Sequence, residues 1–270
     1  MTNQLHTTLS SLLERLDDKR LSNANVIPWS SPVPSFGELS SSSVATLGLN
    51  PSNREFVDVK GEELDGNYRR FHTLKSLGLL KWSDANATHH KLIMESCNRY
   101  FHKNPYDGWF KGLDKIISGT KASYYDTTAK ACHLDLIPYA TACKWTELTS
   151  EQRTFLLNFA GDTLGLLLRD SPVRLLILNG QTVINNLQKI AGVNFTQDCI
   201  EDWTLPRKSG IGVKGLAYRG TIREIAGINL NSKIHILGFN HNIQSSFGVT
   251  KEVKAAIGKW VANSAEEIFA

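Results

Sequence analysis

The sequence predicts an α/β protein: a three-layer sandwich with a mostly parallel, four-stranded central sheet and helices on both faces. Two observations predict it. Four short apolar stretches, 44–48, 131–138, 173–178 and 233–239, alternate with segments whose apolar residues repeat at helical spacing. Each of these stretches also stops at a polar, proline- or glycine-containing turn, as a buried parallel strand does when it passes into a loop. Size agrees, since 270 residues with 41% hydrophobic side chains can bury a full core, which excludes a disordered chain. The net charge of +4 is compatible with a nucleic-acid partner but does not require one.

Taken in order, Leu9, Leu12, Leu13 and Leu16 mark an amphipathic helix over 5–21. The prolines of 27–35 exclude a helix or central strand and indicate an extended crossing segment, so residues 1–43 precede a main domain of 44–270. The first strand, 44–48, ends at Gly48, where another backbone or a ligand can approach closely. Asn50 follows, with one amide acceptor and two donors, and Pro51 stiffens the backbone behind it, so this side chain can hold a water in place. Phe56 falls in a polar loop, and Tyr68, Phe71, Leu74, Leu77 and Leu80 predict a helix. Residues 81–122, rich in aromatics among polar residues, read as a helical insertion.

The second strand carries Asp135, a carboxylate that needs a partner, a cavity or solvent because burying it unpaired is costly. A helix over 151–169 follows, then the third strand. The Asn179-Gly180 turn then opens a helix over 183–191, whose free backbone N–H groups suit a phosphate. Residues 203–223 alternate as a two-stranded ribbon would, and Arg207, Lys208, Lys214 and Arg219 in it are candidate phosphate contacts. After the fourth strand, the loop 240–248 leads to a last helix over 250–263, for which Thr250 is the N-cap.

The scattered Cys97, Cys132, Cys143 and Cys199 form no Cys-x-x-Cys pair, so reduced structural thiols are expected, with no metal and no cofactor. The N-terminus lacks a basic stretch followed by an apolar core, and no apolar run is long enough to span a bilayer, so a cytoplasmic location is expected, with no membrane partner.

The turns after the strands fall on one rim of such a sheet. There the sequence resembles the uracil-DNA glycosylase superfamily. Gly48-Leu49-Asn50-Pro51-Ser52 is similar to the first motif of its mismatch-specific branch. The Arg70-Phe71 segment, the strand around Asp135, the Leu178-Asn179-Gly180 turn and 240–246, in place of the second motif, keep the family's order.

The resemblance implies an enzyme that flips a nucleotide out of duplex DNA and hydrolyses its N-glycosidic bond through an oxocarbenium-like transition state. It assigns Asn50 to the water and His241 to the departing base, with Asn240 as the alternative to His241 because the second motif lacks its proline. It assigns Phe56, with Phe71 as second choice, to stacking on the base. Ser52, Asn179, Gly180, Gln244, Ser245 and Ser246 would grip phosphates, and Ile243 or Phe247 would wedge into the stack. Asp135 stands where uracil-excising relatives commonly carry Asn, and an ionised carboxylate only accepts, which suits the amine of cytosine better than the carbonyl of uracil.

The expected function is thus a monofunctional DNA glycosylase acting as a monomer on an altered pyrimidine. A modified cytosine, such as the hypermodified bases of phage DNA that some bacterial members excise, leads, and uracil repair is the runner-up. A nucleic-acid-binding module without turnover and a nucleotide hydrolase using the Asn179-Gly180 turn stay open.

Overall fold

Strands buried on both faces form where apolar residues run without alternation, and three of the predicted stretches behave so. A computed structural model describes residues 3–103, 105–207, 210, 212–244 and 248–270. The chain runs α1 (Asn3–Leu16), α2 (Lys19–Asn23), β1 (Val44–Gly48), α3 (Leu74–Leu77), α4 (Ala87–Asn98), α5 (Tyr100–Lys103) and α6 (Asp107–Ile117). It continues through β2 (Ala131–Asp135), α7 (Ser150–Ala160), α8 (Asp162–Arg169), β3 (Leu175–Asn179) and α9 (Gln181–Ala191). The remaining elements are β4 (Thr196–Leu205), β5 (Val213–Ile225), β6 (Ile228–Phe239) and α10 (Lys251–Phe269).

The expected four-stranded sheet is a six-stranded mixed sheet of order β2-β1-β3-β6-β5-β4. Strands β2, β1, β3 and β6 are parallel neighbours, while β5 runs antiparallel to both β6 and β4. The ribbon expected as a separate feature joins the sheet because β6 starts at Ile228 and pairs with β5 through a two-residue turn. Ala226 and Gly227 in that turn have φ of 48° and 80°, the left-handed pair that a tight hairpin requires.

Alternate residues of the strands feed two cores. Ala45, Leu47, Cys132, Leu134, Leu176 and Leu178 face Leu9, Leu12, Leu164 and Val183 on one side. Val44, Ala131, Leu175, Ile177 and Phe239 face Phe110, Leu113, Ile257 and Val261 on the other. The proline-rich segment passes between the two sides along the outer edge of β2, where Phe36 and His133 exchange backbone hydrogen bonds of 2.8 and 2.9 Å. That pairing covers an edge that would otherwise present free backbone groups.

Three predicted helices differ. Only Leu74–Leu77 is α-helical within 68–80, and Tyr68 and Leu80 are 72% and 94% exposed. The reason is a competing partner: Leu74 N–H donates to Trp29 O and His72 O accepts from Ser31 N–H, so the backbone there is bonded to the crossing segment. The helix over 5–21 breaks into α1 and α2, where Asp18 accepts from Arg20 N–H as the new N-cap. The helix over 151–169 breaks at Gly161 into α7 and α8. The 81–122 region is helical as expected, as α4 to α6. Among the described residues no helix is long and apolar enough to cross a membrane.

Helix α8 packs closely on the β5–β6 hairpin, where a Cβ on Gly165 would lie 2.8 Å from Ile228 Cβ and 2.9 Å from Ile225 O. Two effects oppose each other in Gly165→Ala: better helix propensity is worth up to about 1 kcal/mol, and overpacking costs about 1–3 kcal/mol. Because backbone is one of the clashing partners, overpacking wins. Urea denaturation should give a lower midpoint at unchanged slope; an equal or higher midpoint would show that the hairpin yields freely.

Candidate active site

Parallel strands bring their last residues to one rim, and the pairing of Gly48 with Asp135 sets the floor of a cavity there. The cavity has a volume of about 300 Å³, at the lower end for a small-molecule site. A Cβ at Gly48 would fall 2.3 Å from Asp135 Oδ1 and 2.9 Å from His133 Nε2, so these two side chains occupy the space that glycine leaves. His133 and Asp135 lie two apart on β2 and therefore share a face.

Asn50 lies at the cavity wall with its orientation fixed by its neighbours. Its Nδ2 donates to Pro51 O at 3.1 Å, Tyr139 O at 3.4 Å and Thr141 Oγ1 at 2.9 Å. Thr141 donates its own hydrogen to Cys143 O at 2.7 Å and must therefore accept from Asn50. This network settles the amide assignment. Among the described residues none donates to Asn50 Oδ1, which is left as a free acceptor.

A buried relay sits behind the floor. Tyr124 OH is 2.5 Å from Thr46 Oγ1, which is 2.7 Å from His133 Nδ1. Among the described residues the Tyr124 hydroxyl has no other acceptor. It therefore donates to Thr46, Thr46 donates to Nδ1, and His133 carries its proton on Nε2, 3.5 Å from Asp135 Oδ1. The rings of Phe36, Trp109 and Phe110 surround the imidazole at centroid distances of 5.4, 5.0 and 5.3 Å. Asp135 is only 7% exposed, and among the described residues no hydrogen bond reaches its carboxylate.

Glu55, which sequence reasoning passed over, is a second carboxylate at this cavity and is 3% exposed. Ser52 caps the short turn that carries it, accepting from Arg54 N–H. Both Glu55 oxygens lie 2.9 Å from Tyr100 OH, which in turn accepts from Tyr106 N–H at 3.0 Å. Arg70 Nε is 3.8 Å from Oε2. Burial pushes the Glu55 carboxyl up to about 7, and Asp135 adds to the rise; Arg70 and the Tyr100 hydrogen bond act against it.

The other expected site residues are placed differently. Phe56 and Phe71 are buried in the core beside the cavity, where Phe71 stacks on Tyr100 at 5.2 Å, so aromatic rings such as Phe36, Tyr106, Trp109, Phe110 and Trp145 line the cavity instead. His241 is 2% exposed, with Nε2 donating to Trp203 O at 2.7 Å, and burial holds its pKa below the usual imidazole range. Asn240 donates to Lys214 O at 2.8 Å and accepts from Leu216 N–H at 2.9 Å, which ties the loop to β5. Neither lines the cavity; Asn242 does.

Asn179 lines the cavity but accepts from Ile243 N–H and donates to Gln244 Oε1. Gln244 then donates to Trp109 O at 3.2 Å, bracing the wall, and Ile243 is buried. The N–H groups of Gly180 and Gln181 donate to Phe239 O and Asn240 O, so these two are not open to a phosphate as expected. Ser52 is exposed at the cavity mouth. Arg207 is exposed beyond the end of β4, which runs in the direction of β6 and so ends at the same rim. Lys214 is exposed at the start of β5, while Arg219 pairs with Glu267 at 3.3 Å. Lys208, Ser245, Ser246 and Phe247 lie outside the described residues.

The four cysteines are unpaired. Among the described residues no group of three or more His, Cys, Asp or Glu is placed to hold a metal ion.

The rise of the Glu55 carboxyl from 4.5 to about 7 has a consequence for stability. The folded state keeps a proton that the unfolded state releases, so the contribution is complete below pH 4.5 and is lost as pH rises through about 7. At about 1.36 kcal/mol per pH unit this is worth about 3 kcal/mol. Glu55→Gln, neutral at all pH values, should therefore gain on the wild type by about that amount between acid and neutral pH in urea titrations. A constant difference would show that Glu55 titrates as an ordinary carboxylate.

No protein-family model matches the chain, and no curated protein matches it.

Proposed function

We propose that the protein is a DNA glycosylase that acts as a monomer, draws an altered pyrimidine out of duplex DNA and hydrolyses its N-glycosidic bond. A cytosine-type base is favoured over uracil. The observation that carries this reading is the Asn50 amide, whose nitrogen is held by three oxygens while its carbonyl oxygen accepts from none of the described residues, at a cavity of about 300 Å³. Such a group can hold one hydrogen of a water and aim its lone pair at C1′ of the flipped sugar. An amide does not take the water's proton, so Asn50 orients the nucleophile and the C1′–N bond must loosen ahead of attack.

The remaining side chains support the same chemistry. Phe36, Trp109 and Phe110 give the flipped base apolar faces to lie against. Asp135, buried and without a hydrogen bond from the described residues, accepts from an exocyclic amine and repels a carbonyl oxygen, which favours cytosine-type bases. The exposed Ser52, Lys144 and Arg207 on this rim are the candidate contacts to the DNA backbone.

The deciding experiment is single-turnover release of uracil and of several modified cytosines from matched duplexes. Asn50→Ala should abolish release while DNA binding stays close to that of the wild type, because the side chain serves the water and not affinity. Release by Asn50→Ala at a near-normal rate would remove Asn50 from the reaction. Asp135→Asn should narrow the preference for cytosine-type bases over uracil by about 1–3 kcal/mol, the range for one well-placed base contact. A wild type that prefers uracil, or a variant with unaltered preference, would reduce Asp135 to a structural carboxylate.

A further inference from the structure

Glu55 is the feature of the cavity that the water-positioning role leaves unused. It is a carboxyl group with hydrogen-bonding capacity, held almost out of solvent at the wall that also carries Asn50 and Asp135. Within the fold it meets the Tyr100 hydroxyl and Arg70, at 2.9 and 3.8 Å. The neighbouring Phe36, Phe56 and Phe71 form an aromatic cluster around Tyr100, which makes Glu55 a carboxyl group in largely apolar surroundings. Tyr100 OH lies 2.9 Å from both Glu55 oxygens, so its single hydrogen is shared between them, while the same oxygen accepts from Tyr106 N–H. One donor cannot satisfy two carboxylate oxygens, so the group retains the capacity to carry a proton of its own.

Resting on the base-excision reading, we propose that Glu55 is the acid that hands a proton to the departing base. As the C1′–N1 bond breaks, its electron pair passes to the pyrimidine ring, and the Glu55 proton moves to an acceptor atom on the base edge, so the base leaves neutral. Water held by Asn50 closes on C1′ and releases one proton to solvent, and the Glu55 carboxylate then recovers a proton from solvent. Atoms and charge balance, with one water consumed and one base released. A cytosine-type base needs this help because its anion is a poor leaving group. His241, bonded to Trp203 O and away from the cavity, does not supply it.

The charged and titratable groups that face Glu55 are Arg70, Tyr100 and Asp135. Burial is the largest influence and keeps the carboxyl protonated up to about pH 7, where an acid of this kind serves best. Arg70 and the Tyr100 hydroxyl favour the ionised form that exists after transfer, while Asp135 disfavours it.

The test measures single-turnover release from duplexes carrying 5-hydroxymethylcytosine or 5-fluorouracil between about pH 5 and about pH 9. The wild type should lose about tenfold in rate per pH unit above pH 7 on the cytosine-type base. Glu55→Gln should slow that release by about 10²–10⁴-fold and flatten the profile, yet affect 5-fluorouracil little, since its anion departs without a proton. Tyr100→Phe keeps the acid and removes the hydroxyl that steadies its charged form, so the falling limb should move to higher pH. Equal slowing of both bases by Glu55→Gln with the limb retained would make Glu55 a structural residue. Release of 5-fluorouracil alone by the wild type would also overturn proton donation. Release that needs Asn50 but ignores Glu55→Gln would overturn this inference alone, whereas no release of either base by the wild type would overturn base excision with it.

Discussion

At the end of β1 there is no room for a side chain, and the candidate site depends on that vacancy. The parallel register places Gly48 beside Asp135, and a single added carbon would sit 2.3 Å from the carboxylate. Because the strand period is two, the face that holds Asp135 also holds His133, and the face of β1 that meets it holds Thr46. The register therefore delivers three things together: space, a buried carboxylate and the relay from Tyr124 that fixes the imidazole. A slip of one residue would send Asp135 and His133 into the opposite apolar core and put Cys132 and Leu134 in their place.

Holding Asp135 and Glu55 at one cavity sets the electrostatic problem that the surroundings answer only in part. An ionised Glu55 would repel Asp135 and lose hydration, with Arg70 at 3.8 Å from its Oε2 as partial compensation, and Glu55 avoids that cost by keeping its proton up to about pH 7. Tyr100 supplies a hydrogen bond to Glu55, whereas among the described residues Asp135 has no closer polar partner than His133 Nε2 at 3.5 Å. The Asp135 side of such a cavity favours ligands that bring donors, whereas a protonated Glu55 can itself donate to an acceptor. The imbalance is a local inconsistency that no packing gain in the neighbourhood removes, and such inconsistencies collect at functional positions.

Strands buried on both sides were legible because uninterrupted apolar runs have few other fates, so 44–48 and the strands containing Asp135 and Leu178 are found where the pattern puts them. Their polar ends were legible for the same reason, which is how Asn50 and Asp135 were identified. The β5–β6 hairpin was read only in part, since the first half of β6 is largely exposed and carries no apolar run. Tyr68 and Leu80 gave a false helical period because the intervening backbone is bonded to the crossing segment, a long-range pairing with no local signature. His241 and Asn240 stand in a polar run, and composition does not tell which side chains turn inward; these two bond to backbone at Trp203, Lys214 and Leu216. His133 was recoverable from its two-residue spacing to Asp135. Glu55 was not, because a loop has no period to show that a charged residue is buried.

The cavity is also not the property of the strand ends alone. Phe36 reaches it from the segment before β1, Trp109 and Phe110 from α6, and the hydroxyl that holds Glu55 comes from α5. Gln244, after β6, joins Asn179 at the end of β3 to the backbone of Trp109, so the helical region between β1 and β2 is tied across the rim to the opposite strand. Residues 81–122 are therefore more than an addition to a finished α/β unit. Without them Asn50, His133 and Asp135 would line an open shelf, with Glu55 deprived of its donor and water free to reach every polar group. Enclosure is what raises the Glu55 carboxyl to about 7, because desolvation is the largest cause of that rise. The strands thus place the chemical groups, and the helical region gives those groups the environment in which they differ from ordinary surface side chains.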